Sequence, residues 1–368
     1  MTSLPNPTAE AAAAEPRTSR TRCGGWGRRA LTGLAWLFTL GTLGLVGLSL
    51  AADGLLLAEL VNSFQPVLFW LLVVSWLWLM VVRPRCSFSK AACSPGACQV
   101  SFGNWQKRGH TMLLVAVTII AVWTAWRVFS VYLPTAQRPP GPHTLRVMTF
   151  NVLGTNLDDQ AIMSEVRQVS PDLLIVWEVT YVMAKRLEAL RDEYPYGLDR
   201  PHYNYTLGFS VFSKHPFTHQ QVAWLPERMF SCPIPSMQVE IEGYPIRVLG
   251  IHASNPIYGS TWGARNRQLE WLTELVLASD LPTIVMGDFN TTPWSPNLRR
   301  FLADTRLRDT RQGQGLHNSW HASCLWLGVP IDHIFVSSDF HVHRRWLGNA
   351  QGSDHVPVIC DLSIGPSP

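Results

Sequence analysis

The chain has 368 residues, of which 47% are hydrophobic and 15% are charged, and its formal net charge is +4. This length and apolar content allow a sizeable buried core and exclude a chain that is disordered throughout. The charge is uneven, because residues 145–364 hold 18 Lys and Arg against 22 Asp and Glu, a net of −4. Non-specific nucleic-acid binding rests on a basic surface. The C-terminal part therefore lacks the positive charge expected of a nucleic-acid-binding domain. A nucleic-acid substrate is less favoured for this reason but stays among the alternatives.

The N-terminal third predicts a membrane domain. Residues 1–29 begin with a stretch rich in Ala, Pro, Ser and Thr and are expected to form a disordered cytoplasmic N-terminus. A membrane domain is expected over residues 30–133, because three apolar runs there are each long enough to cross a bilayer as a helix. The predicted spans are about 31–52, 64–82 and 111–132. The first run is too long for a signal peptide, which favours an uncleaved anchor.

The charges that flank the three runs predict their orientation. Five Arg residues precede the first run, and basic residues without an acid lie between the second and third, whereas the first loop holds only Asp53 and Glu59. Basic loops stay in the cytoplasm, so three crossings place the C-terminal domain outside the cytoplasmic membrane. Arg127, near the end of the third run, is expected to reach the outer interface with its long side chain. The alternative, that Arg127 breaks this span and leaves the C-terminal part inside, stays open.

A Pro-rich linker over residues 134–144, which includes RPPGPH, separates the membrane part from a domain over residues 145–364. Runs with helical spacing alternate in this domain with short apolar runs typical of strands. This alternation predicts an α/β domain with two sheets. The predicted strands contain LRVMTFNV, LLIVWEV, GFSVFS, IRVLGIHA, TIVMGDFN, IDHIFVS and PVICDL.

Polar side chains recur where these strands end. A single such residue is most often a helix cap, a turn former or a surface group, but their repetition along one domain indicates a site. Carboxylates, amides and imidazoles are the groups that bind divalent cations and phosphate oxygens. The residues concerned are Asn151, Glu178, His252, Asp288, Asn290, Asp332, Asp354 and His355.

The ordered motifs TFNV, PDLLIVWE, GIH, GDFN, PIDH and GSDHVPV resemble the endonuclease/exonuclease/phosphatase superfamily of metal-dependent phosphoesterases. The resemblance covers essentially all of residues 145–364. It implies a four-layer sandwich, in which two mixed β-sheets pack face to face between outer helices. It also implies a phosphoric ester hydrolase whose active site lies at one edge of the sheets.

The same resemblance implies roles for the strand-end residues. Glu178 resembles the principal ligand of a Mg²⁺ or Mn²⁺ ion, with Asn151 beside it, and Asp354 resembles a further carboxylate on the metal side. Oxygen ligands of this kind suit such hard cations.

The remaining roles concern the reacting phosphate. Asp288 resembles the residue that orients or deprotonates the attacking water, and Asn290 one that holds a phosphate oxygen. His355 resembles the imidazole that faces the phosphate, and Asp332 the carboxylate that fixes its tautomer. His252 resembles a second group on the phosphate side.

Arg265, on the helix after His252, is a candidate for substrate binding, and a solvated helix face is the equally weighted alternative. This assignment comes from its position in the sequence and not from the family resemblance.

The substrate is predicted from the membrane tether. About a dozen linker residues keep the domain within a few tens of ångströms of the outer leaflet. The arrangement is similar to a bacterial membrane-anchored branch of the superfamily that includes glycopeptide-resistance proteins. A lipid-linked phosphate at the membrane surface is therefore favoured over nucleic acid, and no obligate protein partner is evident. A membrane-bound nuclease and an inactive interaction module remain the alternatives.

Overall fold

The computed structural model describes residues 24–83, 102–203, 207–224 and 233–365. Residues 1–23, most of the segment that we predict to be disordered, lie outside these ranges. Helix α1 spans Gly24–Ser49, so residues 24–29 of that predicted segment are helical. An apolar helix that is already nucleated extends by one residue at a small free-energy cost, which accounts for this difference.

Within the described ranges, two helices are long and apolar enough to cross a membrane, over Gly27–Ser49 in α1 and over Lys107–Tyr132. The second of these contains α4, Phe102–Phe129, which continues into a 3₁₀ turn. Large apolar side chains of both helices point outwards, such as Leu37, 70% exposed, and Ile119, 64% exposed. Surfaces of this kind suit contact with lipid chains rather than with water.

The middle apolar run forms one helix, and a short helix that was not predicted precedes it at a sharp bend. Helix α2, Leu56–Ser63, and helix α3, Gln65–Val81, meet at an angle of 73°, and they make a third span only if the pair crosses the membrane together. Pro66 lies in the first turn of α3, where its missing N–H leaves no helical hydrogen bond unmade. The new helix therefore begins here in a new direction.

The C-terminal domain contains two six-stranded sheets. The first sheet has the order β11-β12-β1-β2-β4-β3, and β1 pairs in parallel with β2 but antiparallel with β12. Its strands are β1 His143–Asn151, β2 Leu173–Trp177, β3 Tyr196–Arg200, β4 Phe209–Ser213, β11 His341–Leu347 and β12 Val358–Ile364.

The second sheet has the order β5-β6-β7-β8-β10-β9 and is also mixed, with β7 parallel to β8 and β8 antiparallel to β10. Its strands are β5 Phe217–Trp224, β6 Pro233–Ile241, β7 Tyr244–His252, β8 Thr283–Asp288, β9 Arg308–Asp309 and β10 Asp332–Val336.

Three apolar cores hold four layers together. The central core joins the facing sides of the two sheets, with Val147 and Ile175 from the first against Val248 and Met286 from the second. Burying a side chain of this size contributes about 1.5–3 kcal/mol. The outer faces are covered by helices, and the prediction of an α/β fold with two mixed sheets between helices is confirmed. These helices are α5 Asp159–Val169 and α6 Tyr181–Leu187 on the first sheet, and α7 Gly259–Leu277 and α8 Pro296–Thr305 on the second.

The strands absent from the sequence prediction, β3, β5, β6, β9 and β11, are mostly polar or interrupted by proline. β3 and β5 lie at sheet edges and are largely exposed, so they lack the apolar pattern of a central strand. β6 begins PIP, a pattern that argues against a central strand. Pairing with neighbouring strands, and not the local sequence, makes these segments adopt strand conformation.

The linker packs against the domain instead of extending from it. The Gln137 side chain accepts a hydrogen bond from the Val342 N–H at 2.8 Å, and His341 Nδ1 lies 2.6 Å from the Arg138 carbonyl oxygen. A Cβ atom at Gly141 would lie 2.2 Å from the Ile364 carbonyl oxygen, so only glycine fits there. β1 begins at His143, two residues before the predicted domain boundary.

Candidate active site

Strand pairing brings most of the predicted residues to one edge of the two sheets. In the first sheet, β1 ends at Asn151 and pairs with the end of β2, after which Glu178 follows. In the second, Asp288 lies opposite His252 on one side and Asp332 on the other. The sheets face each other, so the ends of β1, β2, β7 and β8 and the start of β10 surround one cleft.

Glu178 and Asn151 form one half of this cleft. The Asn151 amide donates to Glu178 Oε1 at 3.0 Å and to Asp288 Oδ2 at 3.2 Å. The Gly154 N–H binds the other oxygen of Glu178 at 2.8 Å. Glu178 has a φ of 64°, a left-handed backbone that a non-glycine residue adopts at some energetic cost. Such strain is typical of a functional position and turns this carboxylate into the cleft.

Asp288 lies at the centre of the cleft and is 1% exposed. Burial, followed by the nearby Asp332 carboxylate, raises the pKa of Asp288 to about 6. His252 Nε2 lies 3.6 Å from Asp288 Oδ2 and 3.8 Å from Glu178 Oε1. The carboxylates beside His252 thus come from β2 and β8.

His355 and Asp332 form a buried pair on the other side of Asp288. His355 Nδ1 lies 2.8 Å from Asp332 Oδ2, and His355 Nε2 lies 3.8 Å from Asp288 Oδ2. Burial lowers the pKa of His355, but the Asp332 and Asp288 carboxylates outweigh it and raise this pKa to about 10. The ring is therefore an imidazolium at neutral pH and can donate a hydrogen bond to a phosphate oxygen.

Asn290 turns back toward Asp288 in a left-handed conformation with a φ of 47°. Its backbone N–H donates to Asp288 Oδ1 at 2.9 Å, and its side-chain amide donates to the Ala253 carbonyl oxygen at 2.8 Å. These bonds fix both Asp288 and the Asn290 amide at the rim of the cleft.

Arg265 does not face this cleft. Its side chain is fully buried, and it donates to the Asn290 carbonyl oxygen at 3.2 Å and to Glu59 Oε1 at 2.6 Å. The prediction that Arg265 binds a substrate phosphate does not fit this position, and neither does a solvated helix face. No local pattern in the sequence indicates that α2 supplies a buried carboxylate for Arg265.

The Asp354 carboxylate is also engaged elsewhere, because its Oδ2 accepts the Trp320 indole N–H at 2.9 Å. This bond engages one of the two carboxylate oxygens, and the place of Asp354 on the metal side stays a prediction. Two serines that the sequence analysis omitted have clear roles. Ser353 Oγ donates to the Asn151 carbonyl oxygen at 2.7 Å and accepts the His355 N–H. Ser319 Oγ accepts the Asp332 N–H at 3.0 Å. Ser353 stands in the GSDH motif, whereas no sequence signal marks Ser319.

The donor atoms fit a divalent cation. Asp288, Asp332 and His355 form the group whose possible ligand atoms lie within 4.8 Å of one another in the described part of the chain. His355 Nδ1 and Asp332 Oδ2 lie 2.8 Å apart, so we assign these two side chains to each other. Glu178 accepts the Asn151 amide on the opposite side of Asp288, and oxygen donors such as these two side chains suit Mg²⁺ or Mn²⁺.

Comparison with known proteins agrees with this geometry. The model of the endonuclease/exonuclease/phosphatase family matches residues 148–355. Among solved structures, an endonuclease/exonuclease/phosphatase from Beutenbergia cavernae is 24% identical, with a TM-score of 0.53, over 61% of this chain and 73% of that one. D. rerio TDP2 complexed with a single-strand DNA product is 15% identical, with a TM-score of 0.51, over 60% of this chain and 99% of that one. At these identities the structures support the fold alone. No curated protein sequence matches significantly.

Proposed function

The chain belongs to the endonuclease/exonuclease/phosphatase family, and from this premise we propose that it is a membrane-anchored, metal-dependent phosphoesterase. We propose further that its substrate is a lipid-linked phosphate at the outer face of the cytoplasmic membrane. Members of the family are phosphoester hydrolases.

The residues of the cleft divide the chemistry between them. Glu178 and Asn151 would hold the divalent cation, which neutralises charge on the phosphate when bound. Asp288, whose pKa of about 6 leaves it mostly ionised at neutral pH, positions the attacking water and accepts its proton.

On the opposite side of Asp288, the His355 imidazolium donates to a phosphate oxygen, and Asp332 holds it charged and oriented. The Asn290 amide lies at the rim, where it can bind a second phosphate oxygen. His252, next to both Asp288 and Glu178, is placed for a further contact on the phosphate side.

The observation that carries the lipid proposal is that the membrane helices dock at the active-site edge. Trp294 lies six residues after Asp288 in the sequence. Its carbonyl oxygen accepts a hydrogen bond at 2.7 Å from Asn62, at the end of α2. The Trp294 indole in turn donates to the Arg127 carbonyl oxygen at 3.1 Å, near the end of α4. The cleft and the ends of the membrane helices are thus on the same side of the domain.

Exposed apolar side chains concentrate at this edge. Of the eleven large apolar residues that are exposed in the described part of the C-terminal domain, nine lie there, in loops, at a strand end or in the first turn of α6. Tyr196 and Leu277 are the exceptions. An apolar rim around a polar cleft suits a bilayer surface, with apolar groups among lipid chains and the phosphate in the cleft. The nine are Leu157, Tyr181, Val182, Tyr203, Trp224, Ile257, Tyr258, Trp326 and Leu327.

We further propose three spans, with α2 and α3 crossing as one bent pair, and an extracytoplasmic catalytic domain. Asp192 is exposed on a surface turn of this domain. In the variant Asp192→Cys, an impermeant thiol reagent should label intact cells above the level of the unmodified chain. Labelling only after lysis would contradict the outward orientation.

The activity test uses the full chain in lipid nanodiscs and three substrates: a polyprenyl pyrophosphate, phospholipid, and single-stranded DNA. We expect Mg²⁺-dependent release of phosphate or headgroup from a lipid, abolished in Asp288→Ala. Cleavage of DNA alone would contradict the lipid proposal and favour a membrane-bound nuclease. No hydrolysis of any substrate would favour an inactive module, although the cleft residues are all present.

A matched pair of variants tests the apolar rim. Trp326→Ser removes a side chain that is 79% exposed at the active-site edge, and Leu277→Ser one that is 61% exposed at the end of α7, on the opposite edge. Only the first should raise KM for the lipid substrate. Hydrolysis of a water-soluble phosphate ester should stay the same in both. Equal KM values for the lipid would refute a role of the rim.

A further inference from the structure

Glu59 is a buried carboxylate in the membrane domain whose described hydrogen-bond donors all belong to the catalytic domain. It lies in α2 and is 3% exposed. Its Oε1 accepts bonds from Arg265 at 2.6 Å and Ser295 at 2.8 Å, and the Trp262 indole donates to Oε2. A buried carboxylate is stable only when it is paired and hydrogen-bonded. This one is satisfied by groups that are more than 200 residues away in the sequence.

Arg265 connects this carboxylate to the active site. Its guanidinium is fully buried and bonds Glu59 through Nη2 and the Asn290 carbonyl oxygen through Nη1. The planar guanidinium can hold two acceptors in fixed directions at once. A charge from the membrane domain thus orients the guanidinium that holds the backbone of Asn290, two residues after Asp288.

The far end of the same loop is also held by the membrane domain. Asn62 and Arg127 both donate to the Trp294 carbonyl oxygen, at 2.7 and 3.4 Å. Residues 290–295 therefore have a membrane-domain contact near each end. The loop includes Asn290 in its left-handed conformation, whose N–H binds Asp288 Oδ1.

We propose that Glu59 is a positioning residue of the active site, which acts through Arg265 to fix the loop that carries Asn290 and orients Asp288. The membrane domain would then be part of the catalytic structure as well as an anchor. This inference rests on the proposed function for its kinetic test. Removing one partner of a buried ion pair leaves the other charge uncompensated, so the loop rearranges around Arg265. A displacement of about 1 Å at reacting groups can lower the rate about 10²-fold.

The test compares three variants of the full chain in nanodiscs. Glu59→Gln removes the negative charge. Arg265→Lys keeps a cation beside Glu59, but its single ammonium group replaces a planar guanidinium that bonds both Glu59 and the Asn290 carbonyl oxygen. The control is Asp53→Asn, because Asp53 pairs with Arg300 across the same two domains at 3.0 Å but is exposed. We expect kcat to fall about 10²-fold in Glu59→Gln with little change in KM. Arg265→Lys should lower kcat in the same sense, and Asp53→Asn should leave it unchanged.

Hydrogen–deuterium exchange of the peptide over residues 288–295 gives a readout that needs no activity. It should rise in Glu59→Gln and in Arg265→Lys but not in Asp53→Asn. If the wild type hydrolyses none of the substrates while exchange rises as expected, the proposed function fails and the positioning role stands. Unchanged exchange and kcat in folded Glu59→Gln and Arg265→Lys would overturn the inference. Equal effects in Asp53→Asn would also overturn it, because general domain contact would then suffice.

Discussion

Replacing Asp332 by Asn tests the His355–Asp332 pair most directly. The two side chains bond at 2.8 Å and are 7% and 2% exposed, so water cannot replace the lost carboxylate. Asp332 is the foremost group that raises the pKa of His355 from 6.5 to about 10. A shift of this size corresponds to several kcal/mol of stabilisation of the imidazolium, at about 1.4 kcal/mol per pKa unit.

The substitution keeps the shape of the side chain but removes that stabilisation. We expect kcat to fall about 10²- to 10³-fold, the range typical of losing one donor that stabilises charge in the transition state. The assay is the initial rate of Mg²⁺-dependent phosphate release at saturating substrate in nanodiscs. In the wild type, His355 is protonated below its raised pKa, so the alkaline limb of the kcat profile lies near pH 10. In Asp332→Asn this pKa falls, and the limb moves to lower pH.

Asp309→Asn is the matched control, because Asp309 is another carboxylate of the same sheet with its own buried partner, Arg311. It pairs with β10 at Phe335, three residues along the strand from Asp332. Its loss should lower stability without changing kcat. The reasoning would be refuted if both variants lost the same activity, or if Asp332→Asn kept wild-type kcat and an unmoved alkaline limb.

Two further predictions concern the metal and acid stability. Glu178→Gln should raise the Mg²⁺ concentration for half-maximal rate by at least about 10- to 100-fold, the cost of losing a group that only orients a ligand. Asp354→Asn should raise it less, because Asp354 Oδ2 is engaged by the Trp320 indole. Equal shifts would give the two carboxylates equal roles at the metal. Burial raises the pKa of Asp309, but the Arg311 guanidinium outweighs burial and lowers this pKa to about 2. The ionised carboxylate therefore stabilises the folded protein fully above the ordinary Asp pKa of about 3.9, and this contribution is lost as pH falls through about 2. Asp309→Asn should therefore lower Tm at pH 7 but not near pH 2, and a difference in Tm that is the same at both pH values would contradict this assignment.

Much of the cleft was predictable because its residues follow strands with strong apolar patterns. Asn151, Glu178, His252 and Asp288 each stand at or just after the end of such a strand. Parallel strands bring their C-terminal ends to one sheet edge, so the position along each strand already implies proximity in space. β3 and β5 could not be predicted in this way, because exposed edge strands need no apolar alternation.

The sequence by itself determined the α/β class, the long apolar helices of the N-terminal part and most of the cleft residues, since each depends on local periodicity and on residue chemistry. Only the tertiary structure decided the partners of the buried charges. Arg265 looked like a free cation on a helix, yet it is buried against Glu59, 206 residues away. Asp354 is predicted to lie on the metal side, and its Oδ2 accepts the Trp320 indole N–H. A charged residue carries no local signal of its partner, because the partner is set by how two separately patterned parts of the chain pack together.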